Sequence, residues 1–448
     1  MFINKVTILS LALLLQTASV IQAESKKLNV VLIMADDVGY ECFSAYGSKE
    51  FSTPRLDALA AKGMRFDHCH STPLCTPSRV NLMTGKSNVF NYVDFGVFPK
   101  GEPTFANHFK AQGYATAVAG KWQLLTTQTG ISPKEAGFDR HCVWNIPGTE
   151  RRRYWEPSLM HDGKVINHGE EEYGSTVIAD YLINFIKTNK DKPFLAYYPM
   201  NLPHNPFHPT PRSKDRKSKN AKQNFIDMVA YMDHCVGRIE DTLIELGLRE
   251  NTLMIFTADN GTNSGLTLDF FGTQRRGGKG YTHDHGTKVP LIVNLPGQIK
   301  AGQVNKDLIC FSDLFPTIVE AANLPAKKIT QGDGWSFWPQ CLGKRGKKRD
   351  WIYGYYFPRP FSQKFDMMYN HWEVAWARNK RHKLYRDGRF FDIVNDVREE
   401  KPLGETAKLN TVRKSLLGAL NEYPKQGTKI DYERVTGARK KPAKKIKQ

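Results

Sequence analysis

Asp36-Asp37 and Asp259-Asn260 offer only oxygen ligands. Such donors suit hard cations, calcium first and magnesium second. Lys121, His204 and Lys279 add positive charge and hydrogen-bond donors. A metal ion beside several cations makes a site for a tetrahedral anion, with donors aimed at charge that develops during group transfer. The segment Cys75-Thr76-Pro77-Ser78-Arg79 supplies a nucleophile position. Pro77 and Ser78 suit the start of a helix over residues 78–84, and a helix N-terminus favours an anion. Arg79 then lies one turn in, close to Cys75.

Taken singly these signals are weak, because an aspartate pair after a strand is often a turn and a lone lysine is usually solvated. Their placement is what matters. The apolar run Leu28–Met34 predicts a buried strand, and residues 114–119, 194–198, 253–257 and 289–294 predict others. Amphipathic stretches over 55–61, 104–112, 176–188, 224–246 and 314–322 predict helices. In the long one, Phe225, Val229, Met232, Val236, Ile239, Leu243 and Leu246 recur at helical spacing and read as core. The alternation implies an α/β fold with a mostly parallel central sheet sandwiched by helices. In open α/β sheets ligands bind beyond the carboxyl ends of the strands. Asp36-Asp37, Gly120-Lys121-Trp122-Gln123, Pro203-His204-Asn205-Pro206 and Asp259-Asn260-Gly261 all follow predicted strands, so one sheet edge gathers them.

The chain has 448 residues, is 40% hydrophobic and 24% charged, and carries a formal net charge of +19. That fits one large core with a smaller attached domain and favours acidic partners. Part of the positive excess lies in the tail 439–447, which reads as a solvated end. Lys5, the apolar run 6–15 and Ile21-Gln22-Ala23 have the layout of a secretory signal peptide over residues 1–23. The apolar run is too short to span a bilayer, so no stable membrane anchor is expected and the chain should be periplasmic or extracellular. Seven cysteines, an odd number, leave at least one unpaired within the chain. A composition shift near 343–348 sets the expected division: catalytic α/β domain 24–345, then a C-terminal α+β subdomain with basic tail, 346–448. Short strands are expected at 383–385 and 389–393. No nucleic-acid-binding motif is present, and export argues against that class.

Cys75-Thr76-Pro77-Ser78-Arg79 with Met83-Thr84-Gly85 resembles the signature of type I sulfatases, of the alkaline-phosphatase-like superfamily. Asp36-Asp37 and Asp259-Asn260-Gly261 resemble that family's metal pairs. Gly120-Lys121-Trp122, Pro203-His204-Asn205-Pro206, Gly277-Gly278-Lys279-Gly280, Ser312-Asp313 and Phe391-Asp392-Ile393 resemble further landmarks, in the same order. The resemblance implies conversion of Cys75 to formylglycine by a separate maturation enzyme. It implies calcium, with magnesium as second choice, on Asp36, Asp37, Asp259, Asn260 and an oxygen of modified Cys75. The hydrated aldehyde would attack sulfur, held by Arg79 and bridged to sulfate by Lys121. Lys279 and His204 would grip the sulfate, and one of them would protonate the leaving alcohol. Loss of a proton from the second hydroxyl would then expel sulfate.

Three departures stand out. Gln123 occupies the place of a family histidine that assists the expulsion, and an amide is no base near neutral pH; His68, His70 and His283 are the candidates to replace it. Asp284-His285-Gly286-Thr287-Lys288 stands where Glu-Gly-Gly-x-Arg is usual, and Lys86 where arginine is usual. The expected function is removal of sulfate from a sulfated carbohydrate, a polysaccharide or oligosaccharide. Arg153, Trp155 and His371, with Arg359 and Trp372, are candidate sugar contacts, weighed equally against ordinary surface packing. The alternatives are a phosphonate or phosphodiester hydrolase of the same superfamily, and a catalytically weakened sulfated-glycan binding protein.

Overall fold

A computed structural model of the chain describes residues 26–325, 332–357 and 373–427. The expected signal peptide, His371, Arg359, Trp372 and the basic tail lie outside them. The strands are β1 (Asn29–Ala35), β2 (Met64–His70), β3 (Ala115–Lys121), β4 (Arg140–Trp144), β5 (Ser158–His161), β6 (Lys164–Asn167), β7 (Phe194–Pro199), β8 (Thr252–Ala258), β9 (Thr267–Phe270), β10 (Thr273–Arg276), β11 (Lys288–Val289), β12 (Leu291–Asn294), β13 (Gln303–Cys310), β14 (Ile352–Tyr356), β15 (Val374–Arg378), β16 (His382–Tyr385) and β17 (Phe390–Asp392). The main sheet runs β11-β2-β12-β8-β1-β7-β3-β4-β5-β6, with β13 also on β2. Its centre, β8-β1-β7-β3-β4, is parallel. The flanks β12, β11, β5 and β6 are antiparallel, so the sheet is mixed and its parallel part is the part that carries the site.

Every residue of β1, β7 and β8 is buried, as parallel strands covered on both faces require. Residues 289–294 do not form one strand: Pro290 lacks an N–H, and the run divides into β11 and β12. The helix expected from residue 78 starts earlier, at α2 (Cys75–Thr84), with α1 being Pro54–Ala61. Pro77 sits in the first turn, where no intrahelical N–H bond is lost. Cys75 is therefore the first helical residue.

Helices α3 (Phe105–Ala111), α4 (Gly174–Thr188) and α5 (Ala221–Glu245) follow, then the short α6 (Asp284–Thr287), α7 (Leu314–Ala321) and α8 (Ala407–Asn421). In α5 the apolar positions from Phe225 to Leu243 are buried and Leu246 is the C-terminal cap. One hydrophobic core runs from Leu28 to Cys341. A separate antiparallel sheet, β14-β15-β16-β17, packs on α8 through Tyr353, Tyr355, Ala377, Leu384, Leu416 and Leu420. No helix among the described residues is long and apolar enough to cross a membrane.

Candidate active site

The register of the central strands delivers the acidic groups together. Ala35 of β1 pairs with Ala258 of β8, so Asp36 and Asp259 emerge side by side at the carboxyl edge. The Asp259 amide donates to the Ala35 carbonyl and the Asp36 amide to that of Leu202, both at 2.9 Å. Asp37 is in the left-handed region, with φ 65°, a conformation that aspartate tolerates better than most residues. Its amide donates to Asp259 Oδ1 at 3.1 Å. Asn260 Nδ2 donates to Asp37 Oδ1 at 3.0 Å.

The cations converge on these carboxylates. Lys121, the last residue of β3, donates from Nζ to both oxygens of Asp36, at 2.9 and 2.8 Å. Gly120 before it has φ 134°, and a Cβ there would meet the Pro199 carbonyl oxygen at 1.9 Å. Only glycine lets β3 approach β7 this closely. Arg79, one turn into α2, donates to Asp259 Oδ2 and to the Lys121 carbonyl, both at 2.9 Å. Lys279 donates to Asp37 and lies 3.2 Å from His204 Nε2. His204 Nε2 is 3.4 Å from Asp37 Oδ2. Its Nδ1 lies 2.6 Å from the Asn205 carbonyl and 2.9 Å from Arg153 Nη2. Protonated on Nδ1, His204 donates to Asn205 and leaves Nε2 to accept from Lys279, but the Arg153 guanidinium, which can only donate, then faces an N–H; protonated on Nε2, it accepts from Arg153 and turns its N–H towards Asp37 and Lys279.

Burial alone would raise both Asp36 and Asp37. Lys121, then His204 and Arg79, outweigh it and hold Asp36 well below the usual carboxylate range. For Asp37 the opposing groups are His204 and Lys279. Burial holds His204 down, to about 3, so near neutral pH Lys279 is the cation that Asp37 keeps. Asp259 is pushed up to about 7 by burial and by the adjacent Asp36 charge, against Arg79. Burial raises the Cys75 thiol, while Lys121 and Lys279 pull it down. The thiol is thus no ready nucleophile as it stands.

Three buried carboxylates are matched by three close cations, Lys121, Arg79 and Lys279. Asn260 Oδ1 is enclosed and has no hydrogen-bond partner. An oxygen-only donor set with one orphaned oxygen fits a hard divalent cation, and the surplus charge such an ion adds would be met by an anionic ester. Asp36, Asp37 and His204 also offer ligand atoms within 4.8 Å of one another. The two imidazole nitrogens of that trio already face Lys279, at Nε2, and Arg153, at Nδ1, so the aspartates and Asn260 are the better donors for a hard ion.

Sites expected to serve sugars or sulfate release divide. Arg153 is buried, stacks on Trp144 at 4.4 Å and reaches His204. Trp155 donates to the Pro209 carbonyl at 2.9 Å and packs against Tyr173 and Arg216. Gln123 is half-buried with φ 55°, and its Oε1 is buried without a partner. His68 and His70 lie on β2, where Arg378, Asp284 and Lys288 set their surroundings; His283 stacks on Tyr281 at 5.3 Å. The charges that bear most on Cys75 are those of Lys121, Lys279, Asp259 and Asp36. Sequence reasoning passed over Glu41, a buried carboxylate bonded to Thr262, which in turn accepts from the Gly39 amide and so joins the two acidic loops. Nothing in its local sequence marks it.

A family model described as Sulfatase matches residues 28–324, and one described as N-sulphoglucosamine sulphohydrolase, C-terminal, matches 275–426. The chain is 31% identical over 375 residues to arylsulfatase A of Homo sapiens, covering 73% of this chain and 70% of that protein. It is 28% identical over 410 residues to N-acetylgalactosamine-6-O-sulfatase of Bacteroides thetaiotaomicron, covering 73% and 79%. A solved structure in complex with its substrate D-glucosamine-2-N,6-O-disulfate aligns with TM-score 0.73 at 22% identity, over 89% of this chain and 97% of that one. Phosphonate monoester hydrolase of Agrobacterium radiobacter aligns with TM-score 0.67 at 19% identity, over 88% and 95%. Structural likeness at these identities speaks for the fold alone, which is alkaline-phosphatase-like. The sequence matches decide the family: this chain belongs to the sulfatases and is a sulfuric ester hydrolase.

Proposed function

We propose that this sulfatase removes sulfate from a sulfated carbohydrate, with Cys75, matured to formylglycine, as nucleophile. The observation that carries the reading is the convergence of Arg79, Lys121, Lys279 and the three aspartates around position 75. The names of the relatives support a saccharide: N-acetylgalactosamine-6-O-sulfatase and N-acetylglucosamine-6-O-sulfatase are among them.

When present, formylglycine supplies a hydroxyl nucleophile and calcium, or magnesium, withdraws charge from the sulfate oxygens. Asp36, Asp37, Asp259 and Asn260 would hold the ion. Arg79, fixed on Asp259 and the Lys121 carbonyl, would orient the group at position 75. Lys121 and Lys279 would bind sulfate oxygens, since both ammonium groups are buried and aimed at the same centre. Lys279, whose ammonium lies 3.2 Å from His204 Nε2, would supply the proton to the leaving oxygen, with His204 beside it. Arg153, buried against Trp144 and 2.9 Å from His204 Nδ1, would hold the imidazole in place. Gln123 can accept a hydrogen bond through Oε1 but cannot take a proton, so the release step is where this chain should be slow.

The N-terminal pattern supports export to the periplasm or outside the cell, and a formylglycine-generating enzyme is the maturation partner. We place the division of the chain near residue 345. Phe337, Trp338 and Cys341 belong to the main core, and the second sheet starts at Ile352. Release of inorganic sulfate from defined sulfated saccharides, set against phosphate or phosphonate release from matched esters, tests the function. Preferential sulfate release is expected; preferential phosphonate hydrolysis would favour the phosphonate alternative.

A further inference from the structure

Lys279 sits on a glycine-rich loop that needs holding. On the side of the main sheet, the Lys279 amide donates to the Thr262 carbonyl and the Gly280 amide to that of Pro73, both at 2.9 Å. The other grip comes from the C-terminal sheet. Arg378, the last residue of β15, pairs with Asp284. Lys383 of β16 donates to the Thr282 carbonyl and, at 2.8 Å, to Glu399. Tyr385 meets Thr282 Oγ1 at 2.7 Å through its hydroxyl, which also donates to Glu399. Arg378 and Lys383 are 2% and 1% exposed, so these are buried charges with few alternative partners. The same sheet encloses Leu74, the residue before Cys75, with Tyr356, Trp376, Tyr385, Phe391 and Ile393.

We infer that the C-terminal sheet positions Lys279 for sulfate: Arg378, Lys383 and Tyr385 fix residues 282–284 and, through them, the ammonium that faces Asp37 and His204. These are positioning residues, since none of them reaches the carboxylate centre. The inference rests on the reading of Lys279 as a sulfate contact. Packing alone would bury the sheet without directing two cations and a hydroxyl onto one short segment. Removing a clamp bond leaves the fold's apolar contacts in place but frees the loop, and small displacements of a binding group cost about 10²-fold.

The test is a pair of double-mutant cycles. Arg378→Met and Tyr385→Phe are each made in the parent and in Lys279→Ala, with Arg378→Lys as the conservative variant. Tyr385→Phe keeps the ring in the core and serves if Arg378→Met does not fold. Readouts are kcat and KM for sulfate release, the Kd of inorganic sulfate by calorimetry, and the melting curve. In the parent, kcat/KM should fall about 10- to 100-fold, sulfate should bind more weakly, and Arg378→Lys should recover part of both. In Lys279→Ala the same changes should cost less than about threefold, and the sulfate-binding cycle carries that contrast where turnover is too slow to follow. Equal losses in both backgrounds would overturn the inference while leaving the role of Lys279 intact. Parent-like rate and sulfate affinity in Lys279→Ala alone would overturn the role of Lys279, and the inference with it.

Discussion

Cys75 lies at the first position of α2, between two lysines and two aspartates whose charges all bear on it. Burial raises that thiol, which disfavours the thiolate; the proposed aldehyde needs no thiolate. Replacing Lys279 by alanine should lower kcat by about 10²- to 10³-fold, the scale of losing one preorganised donor to developing charge; steady-state sulfate release measures it. Gln123 gives a prediction of the opposite sign. Its φ of 55° suits histidine, which visits the left-handed region more readily than most residues. Gln123→His should raise kcat by supplying a base for the release step and should shrink any pre-steady-state burst. An unchanged burst and kcat would mean that release does not limit turnover.

At the scale of elements, the carboxyl ends of β1, β3, β7 and β8 place the site, and their close spacing depends on Gly120. Gly120→Ala forces a Cβ against the Pro199 carbonyl in a backbone region that alanine avoids. It should destabilise the protein by about 1–3 kcal/mol or more, read as a lower denaturation midpoint, while an unshifted midpoint would mean that β3 and β7 can separate cheaply. These strands were legible because each is a short apolar run ended by polar residues, and parallel burial leaves that imprint on sequence. The motifs were legible because each is contiguous. What escaped is long-range. Arg153 meets His204, 51 positions away. The Arg378–Asp284 pair spans 94 positions, and no periodicity encodes such a meeting. The early start of α2 escaped because Pro77 was read as a boundary, whereas a proline in the first turn belongs inside the helix.

For the whole molecule, metal and protonation should both show in stability. Chelation should lower the melting temperature and added calcium restore it, because a ligand bound only by the folded state stabilises by about 2.7 kcal/mol at a hundredfold excess over Kd. His283 is held down to about 3, chiefly by burial. The unfolded chain then binds the extra proton first, so stability is intact above about pH 6.5 and lost as pH falls towards the folded value. His283→Gln should therefore gain on the parent by up to about 1.4 kcal/mol per pH unit below pH 6.5, measured by urea unfolding at several pH values; a constant difference would mean that His283 is not buried neutral. The account as a whole stands on the group at position 75. The direct measurement is sulfate release from a sulfated saccharide by preparations in which the fraction of Cys75 converted to aldehyde is graded and read by peptide mass spectrometry. Rate should rise in proportion to that fraction and vanish in Cys75→Ala. Full activity in unconverted protein would contradict the mechanism.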